Sequence, residues 1–213
     1  MSGSWTLPGL AESGAQARIL NAALRCFARY GYARTNMTGI AKEAGVSRTA
    51  LYNAYPSLEE VFRALSQRVN EGVRAAVVAA ASTPGDLETR LQAVIAARVG
   101  WAFDALHLSQ HGRELIDAKN ALCGASGADT EAQFRRLIAS IIASSGMTPA
   151  AAAKAAALLV QCLPALLEGQ VTEAAAREHV AQFVRIFAAG LAAQVRSAPK
   201  GSGPASRRAA RGR

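Results

Sequence analysis

Gly45 stands between two short runs whose apolar residues repeat at helical spacing, and nothing else in the chain limits its fold so tightly. Before it lie Met37, Ile40, Ala41 and Ala44, and after it Val46, Leu51 and Ala54. Two helices that cross steeply need a small residue where they touch, and Ala41 supplies it. The turn between them needs a residue tolerant of positive φ, which Gly45 provides. Ile40, Ala44, Val46, Leu51 and Ala54 fill the apolar wedge. Ser47 is placed to cap the second helix, which stops at Tyr55 because Pro56 disfavours helix before it. A glycine turn after a 3.6-period helix, with this apolar set, is the pattern of a DNA-binding helix-turn-helix.

The rest of the chain reads as helix with no strand pattern, so the fold class is all-α. Leu20, Ala23, Leu24 and Phe27 place a helix from Ala15 that closes at Gly31. Thr35 or Asn36 caps the next. Ser57, with Glu60 three residues on, forms a capping box for a helix running to about Ala81. STPG at 82–85 breaks it. Further helices fall at about 86–106, 109–122, 128–145, 148–170 and 173–196, separated by CGASG (123–127), SSGMTP (144–149) and GQVT (169–172). Thr148 and Pro149 make a good start signal, and Pro164 should kink or shorten its helix. The expected divisions are a flexible lead (1–14), a DNA-binding domain (15–65), a helical domain (66–196) and a basic, disordered tail (197–213).

Charge narrows the function. Residues 15–56 carry six Arg/Lys against Glu43 alone, and residues 196–213 carry six with no acid, so one end or both suits a polyanion. No run reaches the ~18 consecutive apolar residues of a membrane span, and no signal peptide is read at the start. Cys26, Cys123 and Cys162 are odd in number and widely spaced, which favours reduced thiols in the cytoplasm. Hydrolase, metalloprotease, P-loop and dinucleotide motifs are absent, so no catalytic residue, cofactor or metal is assigned and the chain reads as a non-enzyme.

The residues left outside the wedge carry the chemistry. Arg48 can pair with guanine, and the methyls of Thr49 and Ala50 can touch thymine. Tyr52, Asn53 and Tyr55 can bind phosphate, which positions a duplex without reading it. Through the stretch ILNAALRCFARYGYARTNMTGIAKEAGVSRTALYNAYPSLEEVF, residues 15–65 resemble the DNA-binding domain of the TetR/AcrR family of transcriptional regulators. The resemblance implies an N-terminal three-helix helix-turn-helix domain, a C-terminal helical ligand-binding and dimerisation domain, and a homodimeric repressor released from a palindromic operator by a small molecule. It adds Asn36 and Thr38 to the DNA contacts. Leu58 stands where the family often has a phosphate-binding lysine, leaving Arg63, Arg34 or the basic tail for that contact.

In the last two-thirds, Val180, Phe183, Val184, Phe187, Leu191 and Val195 form an apolar stripe, and the resemblance makes the last two helices, with Phe183, Phe187 and Leu191, the homodimer contact. Candidate ligand-pocket residues are Trp101, Phe103, His107, His111, Cys123 and Phe134. Asp104, His107, His111 and Glu114 share a helical face if that helix continues, which leaves open control by a metal or a protein partner instead of a small molecule. A helical enzyme or scaffold whose basic tail grips nucleic acid loosely is the remaining alternative.

Overall fold

The computed structural model describes residues 14–107, 110–167 and 172–197, apart from the side chains of 101–107, 125–127 and 173. Most of the expected lead and tail, and the side chains of Trp101, Phe103, Asp104 and His107, lie outside the described residues. Among the described residues there are eight helices and no strand: α1 (Ala15–Tyr30), α2 (Met37–Ala44), α3 (Arg48–Ala54), α4 (Leu58–Ala81), α5 (Leu87–His107), α6 (Gly112–Ala143), α7 (Pro149–Leu167) and α8 (Glu173–Ser197).

Helix α1 turns one apolar face inward, burying Ile19, Leu20, Ala23, Leu24 and Phe27. The ring of Phe27 meets Phe62 of α4 edge-on at 5.2 Å, and Tyr32 closes the trio at 5.0 Å from Phe62. Such aromatic pairs add about 0.5–1.5 kcal/mol each beyond the area they bury. This small cluster holds α1 to the start of α4. An Arg25–Glu43 ion pair at 2.6 Å ties α1 to α2 at the surface. Both groups are exposed, so it adds at most about 1 kcal/mol.

Helix α4 joins the two halves of the molecule. Val61, Phe62 and Leu65 belong to the helix-turn-helix core, while Val69, Val73 and Val77 face the C-terminal helices. At 1.5 Å per residue it is roughly 36 Å long, and the boundary expected at 65/66 falls inside it. Ser57 caps it by accepting the Glu60 amide at 3.2 Å. Glu60 does not return the bond as a capping box would. Its carboxylate meets Arg63 instead.

The C-terminal helices share one continuous core: Leu91, Val94 and Ile95 from α5, Ile138, Ile141 and Ile142 from α6, Leu159 from α7 and Val184 from α8. The separator expected at 123–127 shrinks to one residue. Only Cys123 leaves helical geometry (φ −126°, ψ 17°), and α6 continues on both sides. Arg63 Nε donates to the Leu122 carbonyl at 3.3 Å, giving an acceptor at the break a partner. Pro164 removes one backbone donor inside α7, yet the helix runs on to Leu167. Pro149 starts α7, where the Ala151 amide donates to the Thr148 hydroxyl at 3.4 Å. Helix α7 is long and apolar enough, by length and composition, to cross a membrane. Its apolar face of Ala152, Ala155, Ala156, Leu159, Val160 and Leu163 is buried in the shared core.

Candidate nucleic-acid interface

Helices α2 and α3 are built by local signals. Asn36 caps α2 by accepting the Gly39 amide at 2.9 Å. Thr35, the other candidate cap, is buried and donates its hydroxyl to the Gly31 carbonyl at 2.6 Å. Gly45 ends α2 in the left-handed region (φ 66°, ψ 35°), and its amide bonds back to Lys42. A β-carbon costs about 1–2 kcal/mol in that conformation, so glycine suits this sharp turn. Ser47 then caps α3 by accepting the Ala50 amide at 3.0 Å.

Helix α3 has seven residues and buries only Leu51 completely. An isolated helix of that length is unstable in water. Leu51, with half-buried Val46 and Ala54 beside it, pins the helix onto the core. Arg48, Thr49, Ala50, Tyr52 and Asn53 are left exposed. Tyr52 keeps 44% of its surface in water. It stands beside exposed Arg48, Thr49 and Asn53 on the same short helix.

The other sequence-predicted contacts divide. Asn36 and Thr38 are exposed at the start of α2, with the Asn36 side-chain oxygen engaged by its cap. Tyr55 is half-buried and packs on the core as the residue closing α3, and burial pushes its phenol pKa up. Leu58 packs on the core as well, which accounts for an apolar residue where a lysine was expected. Of the replacements considered for that lysine, Arg63 is engaged by Glu59, Glu60 and the Leu122 carbonyl. Arg34 is exposed and joins Lys42 and Arg48 as cations with no ion pair to the described residues. Lys42 was not singled out from the sequence, although its place beside Glu43 on an otherwise basic segment was the available signal.

A contact that the sequence did not reveal crosses from the C-terminal domain to this one. Glu114, in the first turn of α6, accepts the Ala33 amide at 2.8 Å. His111 lies 3.3 Å from the same carboxylate. Gly31 (φ 78°) makes the approach possible, because a β-carbon there would overlap the Glu114 carboxylate. His111 thus sits where the C-terminal helices meet the α1–α2 loop. Among the described residues, no three His, Cys, Asp or Glu side chains gather as metal ligands.

The residues from α1 to the start of α4 match a model of known sequences. Residues 19–65 fit the description "Bacterial regulatory proteins, tetR family". The match places the N-terminal domain, from α1 to the start of α4, in that family. A curated relative, the uncharacterized HTH-type transcriptional regulator YezE of Bacillus subtilis (strain 168), is 28% identical over 76 residues, 36% of this chain and 39% of that protein. The match therefore spans well under half of that relative. A TetR-family regulatory protein of Rhodococcus RHA1 is 25% identical with a TM-score of 0.56, covering 84% of this chain and 98% of its own. A TetR/AcrR-family regulator of Thermobifida fusca shares the fold at 19% identity, with a TM-score of 0.64 over 82% of this chain and 97% of its own. Each of these proteins is described as a regulator, and the two solved structures share the all-helical fold.

The C-terminal helices hold a groove of about 390 Å³ between α4, α5 and α6. Val73, Val77, Phe134 and Leu137 form its floor. Of the ligand-pocket residues named from sequence, Phe134 lines it. His111 and Cys123 do not, and Cys123 borders a separate recess beside Arg63. The groove's arginines 74, 98 and 136 were missed because they lie far apart in sequence, on three different helices.

Proposed function

We propose that this chain is a transcriptional repressor that binds a palindromic operator as a homodimer and is released by a small molecule, acting in the cytoplasm. The observation that carries it is the face of α3, where Leu51 is buried and Arg48, Thr49, Tyr52 and Asn53 are left without side-chain partners among the described residues. Arg48 and Thr49 sit at the N-terminal end of the recognition helix and read base edges. Tyr52, Asn53, Asn36, Thr38, Arg34 and Lys42 hold phosphates. The working units are residues 15–65 and 66–196, joined through α4.

Dimerisation through α7 and α8 is supported by what those helices leave outside. Leu158 is 59% exposed and Ile186 63% exposed. Ala153 and Ala157 flank the first, and Ala189, Gly190 and Ala193 follow the second, all exposed. Small residues allow close helix approach. Of the stripe expected to meet the partner, Val180, Val184 and Leu191 are buried in the chain's own core, while Phe183 and Phe187 stack at 5.9 Å and are half-buried. We place the partner surface on Leu158, Ile186 and the small residues beside them, with half-buried Phe183 and Phe187 at its edge. A ligand releases DNA only if it binds the DNA-incompetent arrangement better, with a coupling of about 1–3 kcal/mol.

Bound sites selected from random DNA provide the operator for the test. Arg48→Ala is expected to weaken its binding by about 1–3 kcal/mol and to relax preference at the base pair it reads. Tyr52→Phe is expected to weaken all sequences alike. Equal operator affinity for Arg48→Ala and wild type would remove Arg48 from base reading.

A further inference from the structure

We propose that the groove between α4, α5 and α6 binds an organic carboxylate with an aliphatic tail, a claim about ligand class that rests on the ligand-released reading above. Two features meet in the groove. Its floor is apolar: Val73, Val77 and Phe134 are buried, and Val78 at the edge is 56% exposed. Its walls are cationic: Arg74, Arg98 and Arg136 come from three separate helices.

The charges are not balanced locally. Arg98 pairs with Glu131 at 2.5 Å and lies over the Phe134 ring at 4.6 Å from its centroid. That contact holds Arg98 down as part of the floor and leaves its charge largely answered. Arg74 and Arg136 are exposed and make no ion pair with the described residues. Lys119 adds a further positive group nearby. Burial and then the charge of Arg98 push its ammonium pKa down, against the opposing pull of Cys123 and Glu131. Arg74 and Arg136 are therefore the two cations available to an incoming anion.

The chemistry separates ligand classes. A neutral apolar molecule makes no use of the arginines, and a cation is repelled by them. A nucleotide or sugar phosphate needs many polar partners, whereas among the described residues Thr130 and Gln133 are the only uncharged polar ones lining the groove. An amphiphilic monoanion satisfies both halves: guanidinium groups bind a carboxylate through paired N–H donors, and the tail covers the floor. The volume lies near the lower end of small-molecule sites, which run from about 300 to 1,000 Å³. Arg74, Val77 and Val78 also stand on α4, the helix whose first turns carry Val61 and Phe62 of the DNA-binding core. An occupant of this groove touches the element that joins the two domains.

Calorimetric titration of the full chain with decanoate, below its micelle concentration, tests the claim against two controls, 1-decanol and decyltrimethylammonium. The expected result is saturable decanoate binding at least ten-fold tighter than either control. Arg74→Gln and Arg136→Gln should each weaken it by five-fold or more, and Val78→Asp should abolish it. All three positions are exposed, so circular dichroism should show an unchanged fold. Equal binding of decanoate and decanol, unsaturable binding, or indifference to both arginine variants would overturn the assignment. A separate arm adds decanoate to the operator complex. Arginine-dependent binding without DNA release would leave the ligand class standing and sink the release mechanism. Absence of decanoate binding, with release by a neutral compound, would do the reverse.

Discussion

Leu51 shows how much one side chain decides. It is fully buried in a helix that exposes most of its other residues, and truncating such a leucine costs about 2–5 kcal/mol. Its role was legible because its spacing from Gly45 matches a known two-helix turn. Tyr55 was less legible: the sequence sets it among the outward contacts, whereas it is half-buried against the core. Gly31 and Glu114 were not legible at all, being 83 positions apart in the sequence. The structure sets the Glu114 carboxylate where a Gly31 side chain would lie. Gly31→Ala is expected to destabilise the protein by about 1–3 kcal/mol, because it combines positive φ with that overlap. Urea unfolding of Gly31→Ala, Glu114→Ala and the double variant checks the origin. The double variant should be less destabilised than the sum of the two, since removing Glu114 removes the overlap.

At the scale of the element, caps and breakers predicted more than composition did. Asn36, Ser47, Ser57 and Thr148 each accept an amide at the start of the helix they were expected to open or were candidates to open. Ser47→Ala should cost about 1 kcal/mol in thermal or urea unfolding, and should also lower DNA affinity, since α3 has little else to hold its first turn. Asp86 precedes α5 and accepts the Thr89 amide at 2.9 Å. That bond, reinforced by the Thr89 hydroxyl, holds its carboxyl pKa below the usual aspartate value. A carboxylate lowered in this way stabilises the fold at pH above its unfolded value, and the contribution fades as pH falls through the folded one. Asp86→Asn, which keeps an acceptor oxygen but no titrating group, should therefore show a shallower loss of Tm below about pH 4. A slope identical to wild type would remove Asp86 from the acid response. The break at Cys123 is the element that local reading misjudged. Glycine and serine at 124–127 argue for a loop, but Leu122 and Phe134 on either side both pack on the core, and Arg63 takes the Leu122 carbonyl.

For the whole molecule, the decisive question is which apolar residues the chain keeps for itself. Periodicity places Val180, Val184, Leu191 and their neighbours on one stripe, but a period says only that a face is apolar. Packing against α5 then consumes that stripe and leaves Ile186 and Leu158 in water. Ile186→Glu and Leu158→Glu should each give a folded monomer by light scattering and reduce operator affinity at least ten-fold, because two half-sites are no longer read together. A dimer unaffected by both changes would move the interface elsewhere. The sequence by itself determined the helix-turn-helix, its caps and the outward set on α3, because these depend on spacings within about twenty residues and on the preferences of single amino acids. Tertiary structure alone decided the groove of Arg74, Arg98 and Arg136, the Glu114 contact with the α1–α2 loop and the exposed face of α7 and α8. Those features depend on which distant helices meet, and the free energy that selects one meeting over another is summed over the whole core rather than carried in any local pattern.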